Sequence, residues 1–320
     1  MNRSMLWILP LAGCLNLDGF VHNPVHCSTV GPETCETDNV WDAVCVPCEQ
    51  PYAWDLDYPW FEGQLEPGQS IRAIDVLSVV QATLETNDGL GQLDTYFVPS
   101  HRGDPALAEI TLLFSHGNYA SVEHYMPRVR LMHEAGYNVL VWDYRGYGKS
   151  MPESAPSADQ FLADARLVRE YVDTVAPDAD RIIPYANSLG SIPTIEAAAH
   201  RQPCALFLEA PFVSLGETAL GNTTQSFGEG FFSDGQFDNV KNIGRVDAPT
   251  LVMVGELDNK FTPEQTRKLF DAAPSPKRFW VVADTKHGIG NRGVPEAGYA
   301  AWVAQMRSFL EEEAPACLTP

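Results

Sequence analysis

The residues best suited to chemistry are one serine, one histidine and a few carboxylates, far apart along a chain of 320 residues. The serine lies in Ala186-Asn187-Ser188-Leu189-Gly190. The strand-like run Arg181-Ile-Ile-Pro-Tyr185 precedes it directly, and a helical pattern from Leu189 to His200 follows directly. A strand that turns this abruptly into a helix lifts a hydroxyl above the sheet, provided the flanking residues are small. Ala186 and Gly190 meet that requirement, with alanine where glycine is usual. The Leu189 amide then sits at a helix N-terminus, where it can donate to a developing oxyanion. An ordinary turn with serine as N-cap has the same local pattern, so the reading needs partners.

A serine hydroxyl becomes a nucleophile beside a base, and the base needs a carboxylate to orient it. Downstream of Ser188 the chain supplies Asp258 in Val254-Gly-Glu-Leu-Asp258 and His287 in Thr285-Lys-His-Gly288, each just past a strand-like run. The sequence holds no histidine after His200 other than His287. His200 ends the helix that starts at the serine, which carries it to the far end of the sheet. Glu256 is the rival carboxylate, and loop position favours Asp258. A second oxyanion donor is expected from Phe114-Ser-His-Gly-Asn118, after the buried run Ile110–Phe114. The candidate is the backbone amide of Asn118, with His116 holding the turn rather than acting as base.

These residues need a scaffold. Runs at 72–80 and 93–98 read as two early antiparallel strands. Buried strands follow at 110–114, 138–143, 181–185, 205–209, 250–254 and 278–282. Helical patterns at 122–134, 157–175, 189–200, 263–273 and 296–313 alternate with them. Continuous apolar strands separated by helices imply a mostly parallel sheet covered on both faces. Residues 211–249 break the rhythm and carry no strand pattern. They read as a short cap insert over the strand C-termini, where open α/β sheets bind ligands. Phe227, Phe231 and Phe232 are candidates to line an acyl-binding surface there, or simply to pack the cap.

The chain resembles the α/β-hydrolase superfamily, and most closely its monoacylglycerol-lipase-like and protein-depalmitoylase-like serine hydrolases. The matching stretches are His116-Gly-Asn118, Trp142-Asp-Tyr-Arg-Gly-Tyr-Gly-Lys-Ser150, Asn187-Ser-Leu-Gly190, Glu209-Ala-Pro-Phe212 and Gly255-Glu-Leu-Asp258, within residues 70–313. The resemblance implies an α/β-hydrolase fold with Ser188 as nucleophile, His287 as base, Asp258 as its orienting carboxylate and the amides of Asn118 and Leu189 as the oxyanion hole. It implies structural roles for Asp143 and Arg145, and no metal or organic cofactor. The expected substrate is a small-molecule or lipid acyl ester or thioester. A peptidase of the same fold and a non-catalytic surface binding module are the alternatives.

The N-terminus adds a location. Arg3 precedes the apolar run Met5–Ala12, followed by Leu11-Ala12-Gly13-Cys14. That layout is a secretory signal, and the tetrapeptide resembles a bacterial lipoprotein signal in which Cys14 is lipidated. An ordinary signal peptide or a buried N-terminal strand would be the plainer readings. The domain reading is therefore a signal at 1–13, a Cys-rich segment at 14–68 and a hydrolase domain at 69–316. The expected location is extracytoplasmic, held to a bacterial membrane by the N-terminal lipid alone. Six cysteines remain: Cys27, Cys35, Cys45, Cys48, Cys204 and Cys317. In an oxidising compartment they read as three disulfides. Zinc is the weaker reading, because Cys27 and Cys35 are too widely spaced to make one hook. Cys204 precedes a parallel strand and Cys317 follows the last helix, so both fall at the end of the sheet opposite the active site and could bridge. Pairing among the four residues between 27 and 48 is open.

Composition excludes other classes. The net charge of -21 repels phosphate backbones, so nucleic-acid binding is not expected, and basic-patch docking on anionic lipid is disfavoured. No apolar run reaches the roughly 18–20 residues of a membrane-spanning helix, and no internal repeat is present.

Overall fold

A computed structural model describes residues 24–29, 46–54, 71–101, 103–118, 121–214, 237–287 and 298–319. The fold is an eight-stranded sheet in the order β1-β2-β4-β3-β5-β6-β7-β8. The strands are β1 (Val80–Glu85), β2 (Gln92–Val98), β3 (Thr111–Ser115), β4 (Asn138–Trp142), β5 (Ile182–Asn187), β6 (Leu206–Glu209), β7 (Thr250–Gly255) and β8 (Lys277–Val282). Only β2 runs against the rest. Strands β3 to β8 are parallel because a helix crosses over between most of them, as their apolar runs require.

Side chains alternate across the strands, so the sheet has two apolar faces. On one face, Leu112, Phe114, Val139, Val141 and Tyr185 pack against helices α1 (Val122–Glu134) and α6 (Tyr299–Glu312). On the other, Leu113, Leu140, Trp142 and Ile182 meet α2 (Ala158–Val175) and α3 (Ser191–His200). Leu206, Leu208 and Val252 meet α3 and α5 (Pro263–Ala272) on that second face. Local chemistry sets the helix starts. Ser157 with Gln160, and Thr262 with Gln265, form capping boxes that satisfy the first free amides of α2 and α5.

The first strand departs from its expected position. Residues 72–79 are not strand: the Asp75 carboxylate accepts the Leu77 amide, which closes a 3-10 turn at Val76–Ser78 and leaves Leu77 96% exposed. The strand begins at Val80, where Ala82 and Leu84 alternate toward the sheet, and pairs through Glu85↔Gln92. The β-rich composition of 72–80 is a poorer guide here than two alternating residues before the turn at Asn87-Asp88-Gly89.

Of the expected cap, 211–249, residues 211–214 and 237–249 are described and carry no strand. They do carry a helix, α4 (Asn239–Asn242), which the sequence pattern did not reveal. Phe227, Phe231 and Phe232 lie outside the described residues, as do Cys14, Cys35 and Cys45. Among the described residues two disulfides are present, Cys27–Cys48 and Cys204–Cys317. The second joins the start of β6 to the turn after α6. Among the described residues no helix is long and apolar enough to cross a membrane.

Candidate active site

Ser188 sits at the turn between β5 and α3 with φ 51°. An L-residue in that left-handed region is strained, and such strain collects at functional sites. The surroundings hold it there. A Cβ at Gly190 would collide with the backbone oxygens of Ser115 and His116, so only glycine lets the elbow lie against the loop after β3. The Ser191 hydroxyl donates to the Ser188 carbonyl at 2.7 Å, and the Phe212 amide donates to the same oxygen at 3.1 Å. Asn239 Nδ2, from α4, donates to Ser191 Oγ at 2.9 Å and to the Phe212 carbonyl at 2.7 Å. Ser191 and Asn239 are supports that sequence reading missed. Ser191 is adjacent to the motif and had a local signal; Asn239 arrives from 48 residues away and had none.

His287 lies just past β8, with Nε2 3.1 Å from Ser188 Oγ and Nδ1 2.8 Å from Asp258 Oδ2. Asp258 is buried, and its other oxygen accepts the amides of Lys260 and Phe261, both at 2.9 Å. This leaves Oδ2 for the imidazole and sets the tautomer: Nδ1 carries the proton, so Nε2 is free to accept one from serine. The Leu257 amide donates to the Thr285 carbonyl at 2.7 Å, which joins the aspartate loop to the histidine loop. The rival Glu256 turns away and accepts the Asp284 amide at 3.1 Å. His200, at the end of α3, contacts Glu170 at 3.0 Å and takes no part.

The loop expected to supply an oxyanion donor follows β3. Strands β3 and β5 are neighbours, with Ser115 opposite Ala186, so the loop after β3 lies beside the elbow. Asn118 is on this loop, its side-chain oxygen accepting the Tyr147 hydroxyl at 2.6 Å. Leu189 is buried at the start of the helical segment. Amides of a first helical turn have no intrahelical acceptor. His116 is fully buried, stacked on Tyr144 at 4.1 Å, and burial pushes its pKa down to about 3. It is therefore neutral and structural.

The remaining motif residues build the frame. Asp143 accepts the Val122 amide at 2.7 Å at the start of α1. Arg145 bonds Asp164 and Asp88 at 2.8 Å each. Glu209 pairs with Arg128 and accepts the Tyr185 hydroxyl at 2.5 Å, and Trp302 donates to that hydroxyl at 3.1 Å. This buried chain ties α1, β5, β6 and α6 together beneath the elbow. Among the described residues, the only histidine, cysteine and carboxylate group with metal-like spacing is His26, Cys27 and Cys48, and there the two sulfurs are bonded to each other.

A wound sheet with a strained serine elbow between its fifth strand and following helix defines an α/β hydrolase. The comparisons agree, and the chain belongs to the α/β-hydrolase superfamily. The serine aminopeptidase S33 family matches residues 108–237. Uncharacterized protein Rv2307c of Mycobacterium tuberculosis is 30% identical over 232 residues, 72% of this chain and 79% of that protein. Mouse alpha/beta hydrolase domain-containing protein 17C is 26% identical over 251 residues, 77% of this chain and 71% of that protein. Among solved structures, a Pyrococcus furiosus esterase superposes with a TM-score of 0.58 at 20% identity, covering 73% of this chain and 90% of its own.

Proposed function

We propose that the protein is a serine hydrolase that cleaves acyl esters or thioesters through Ser188, His287 and Asp258. The observation that carries this is the unbroken line Ser188 Oγ to His287 Nε2 at 3.1 Å and His287 Nδ1 to Asp258 Oδ2 at 2.8 Å. His287 takes the serine proton as Oγ attacks the acyl carbon, and Asp258 stabilises the imidazolium. The amides of Asn118 and Leu189 receive the oxyanion. The tetrahedral intermediate collapses as His287 returns the proton to the leaving alcohol or thiol. Water, activated by the same imidazole, then releases the acid from the acyl-enzyme.

The test is labelling with a fluorophosphonate and turnover of a p-nitrophenyl ester, a thioester and an aminoacyl anilide. Wild type is expected to label and to cleave the first two; Ser188→Ala is expected to do neither. Failure of wild type to label, or full activity in Ser188→Ala, would end the proposal. The match to a serine aminopeptidase family over residues 108–237 favours a second reading, a peptidase of the same fold. Preference for the anilide would select it. We further propose an extracytoplasmic location with Cys14 as lipid anchor. The disulfides Cys27–Cys48 and Cys204–Cys317 support an oxidising compartment. Metabolic labelling with a fatty-acid analogue, lost in Cys14→Ala, would test the anchor.

A further inference from the structure

The hydrolase reading leaves the cysteine-bonded N-terminal segment without a task. Its described parts, residues 24–29 and 46–54, lie along two pieces of chain that bracket the oxyanion loop. One piece is the turn Asp143–Lys149. The Cys27 amide donates to the Gly148 carbonyl at 2.8 Å, and the Gly148 amide donates to the Val25 carbonyl at 2.9 Å. The Tyr52 hydroxyl donates to Asp143 Oδ2 at 3.3 Å, while the Lys149 ammonium lies 4.2 Å from the centre of the Tyr52 ring and bonds the Gln50 carbonyl. The other piece is the first turn of α1, where Glu123 accepts the Val46 amide at 3.2 Å. The Cys27–Cys48 bond ties both sets of contacts into one clamp. Tyr52 and Trp54 are nearly inaccessible, with rings 5.3 and 5.4 Å from that of Tyr96.

Both pieces hold the loop that carries Asn118. Asp143 Oδ1 fixes the Val122 amide at 2.7 Å, at the loop's far end. Tyr144 donates to the His116 carbonyl and Tyr147 to Asn118 Oδ1, each at 2.6 Å. A Cβ at Gly148 would fall on the Asp143 carboxylate, so the turn wraps closely around that group. Oxyanion donors act only when held at hydrogen-bond distance from the developing charge, and small displacements cost rate steeply. We infer that residues 24–29 and 46–54, joined by the Cys27–Cys48 bond, are a positioning element of the oxyanion loop, acting through the Tyr52 hydroxyl on Asp143. The inference rests on the proposed serine hydrolase reading and deepens it. Tyr52 touches no reacting atom; it sets where the Asn118 amide stands.

The experiment compares three variants of the full chain on an ester substrate. Tyr52→Phe removes the hydroxyl and keeps the ring. Cys27→Ser/Cys48→Ser opens the clamp. Cys204→Ser/Cys317→Ser removes a bond remote from the site. Readouts are kcat, KM, melting temperature and inhibition by an aryl boronic acid, whose tetrahedral adduct uses the oxyanion hole. Tyr52→Phe is expected to lower kcat about tenfold, less than the roughly hundredfold or more for losing an oxyanion donor outright. KM should stay within about twofold, and the boronate inhibition constant should rise by the factor that kcat/KM falls. The first cysteine pair should behave the same way, and the second should lower melting temperature with kcat unchanged. Wild-type kcat and boronate binding in both Tyr52→Phe and Cys27→Ser/Cys48→Ser would overturn the inference. Equal kcat losses in the two cysteine pairs would overturn it too. If wild type neither labels with fluorophosphonate nor binds boronate, the hydrolase reading itself has failed.

Discussion

The rim of the sheet carries two aspartate–histidine pairs that use the same chemistry for opposite ends. Asp258 and His287 stand past β7 and β8; Asp143 and His116 stand past β4 and β3. In the first, nitrogen and oxygen are 2.8 Å apart, the second ring nitrogen faces Ser188 Oγ, and the histidine side chain keeps 16% of its surface open. In the second, His116 Nε2 is 3.6 Å from Asp143 Oδ1, too far for a hydrogen bond. Its Nδ1 lies 2.8 Å from the Gly117 carbonyl, and the ring is stacked on Tyr125 and Tyr144. Burial pushes the Asp143 carboxyl up to about 7 and the His116 imidazole down to about 3. Carrying a proton requires an imidazole with one nitrogen oriented, the other presented to a hydroxyl, and an edge left open. Enclosed on all sides, the same two residue types become a packing block.

The largest effects should come from the open pair. His287→Ala is expected to lower kcat by about 10^4- to 10^6-fold, as loss of a triad base does. His116→Phe, which keeps the stacked ring, should stay within about tenfold of wild type. Comparable losses in the two variants, measured by ester turnover, would erase the distinction drawn between the pairs. Asp258→Asn should cost about 10^4-fold in kcat with little change in melting temperature, because the amide can hold the imidazole in the wrong tautomer.

Asp143→Ala should lower stability and, because the Tyr52 hydroxyl acts on the oxyanion loop through this carboxylate, should also lower kcat by about tenfold, as in Tyr52→Phe. It strips the Val122 amide and the Tyr52 hydroxyl of their acceptor inside the protein. Unpaired buried donors cost about 1–3 kcal/mol each, so a loss of about 3 kcal/mol is expected in denaturant unfolding. A change under 1 kcal/mol, with hydrolysis nearly abolished instead, would move Asp143 from the frame into the chemistry.

Legibility in the sequence followed how local the determining physics is. The elbow shows because its steric demands fall within five residues, from Ala186 to Gly190. Asp258 and His287 show because strand ends converge at one rim, and few polar residues there have the right chemistry. The centre of the sheet shows because β3 to β7 are mostly apolar and buried along their length. Three kinds of feature stayed hidden. The Asp75 turn defeated the β-rich pattern at 72–80, since one capping carboxylate outweighs weak strand propensity. The Cys27–Cys48 pairing depends on where chain ends meet in space. The Tyr52–Asp143 bond spans 91 residues, and nothing near either partner in sequence announces the other.

The smallest expected effect concerns buried imidazoles away from the chemistry. His133 on α1 is buried, its Nδ1 has no hydrogen-bond partner, and its ring meets His101 edge-on at 5.2 Å. Burial chiefly, helped by His101, lowers its pKa to about 4. In the unfolded chain a histidine binds its proton near pH 6.5; in the folded chain His133 does so only near 4. Between those values the unfolded state holds more protons, so stability falls as pH falls. The contribution is complete above pH 6.5 and declines toward pH 4, by about 2–3 kcal/mol at most. His116 acts in the same direction down to about pH 3. Asp143 opposes them: its carboxyl protonates near 7 when folded, so it adds stability as pH falls from 7 toward 3.8. His133→Phe keeps a ring in place and removes one titration. Its melting temperature should therefore fall less than that of wild type between pH 6.5 and 4, while ester turnover at pH 7.5 stays unchanged. Parallel melting curves across that window would show that His133 gains its proton without unfolding, and that burial on α1 does not hold an imidazole neutral as the Asp143–His116 enclosure does.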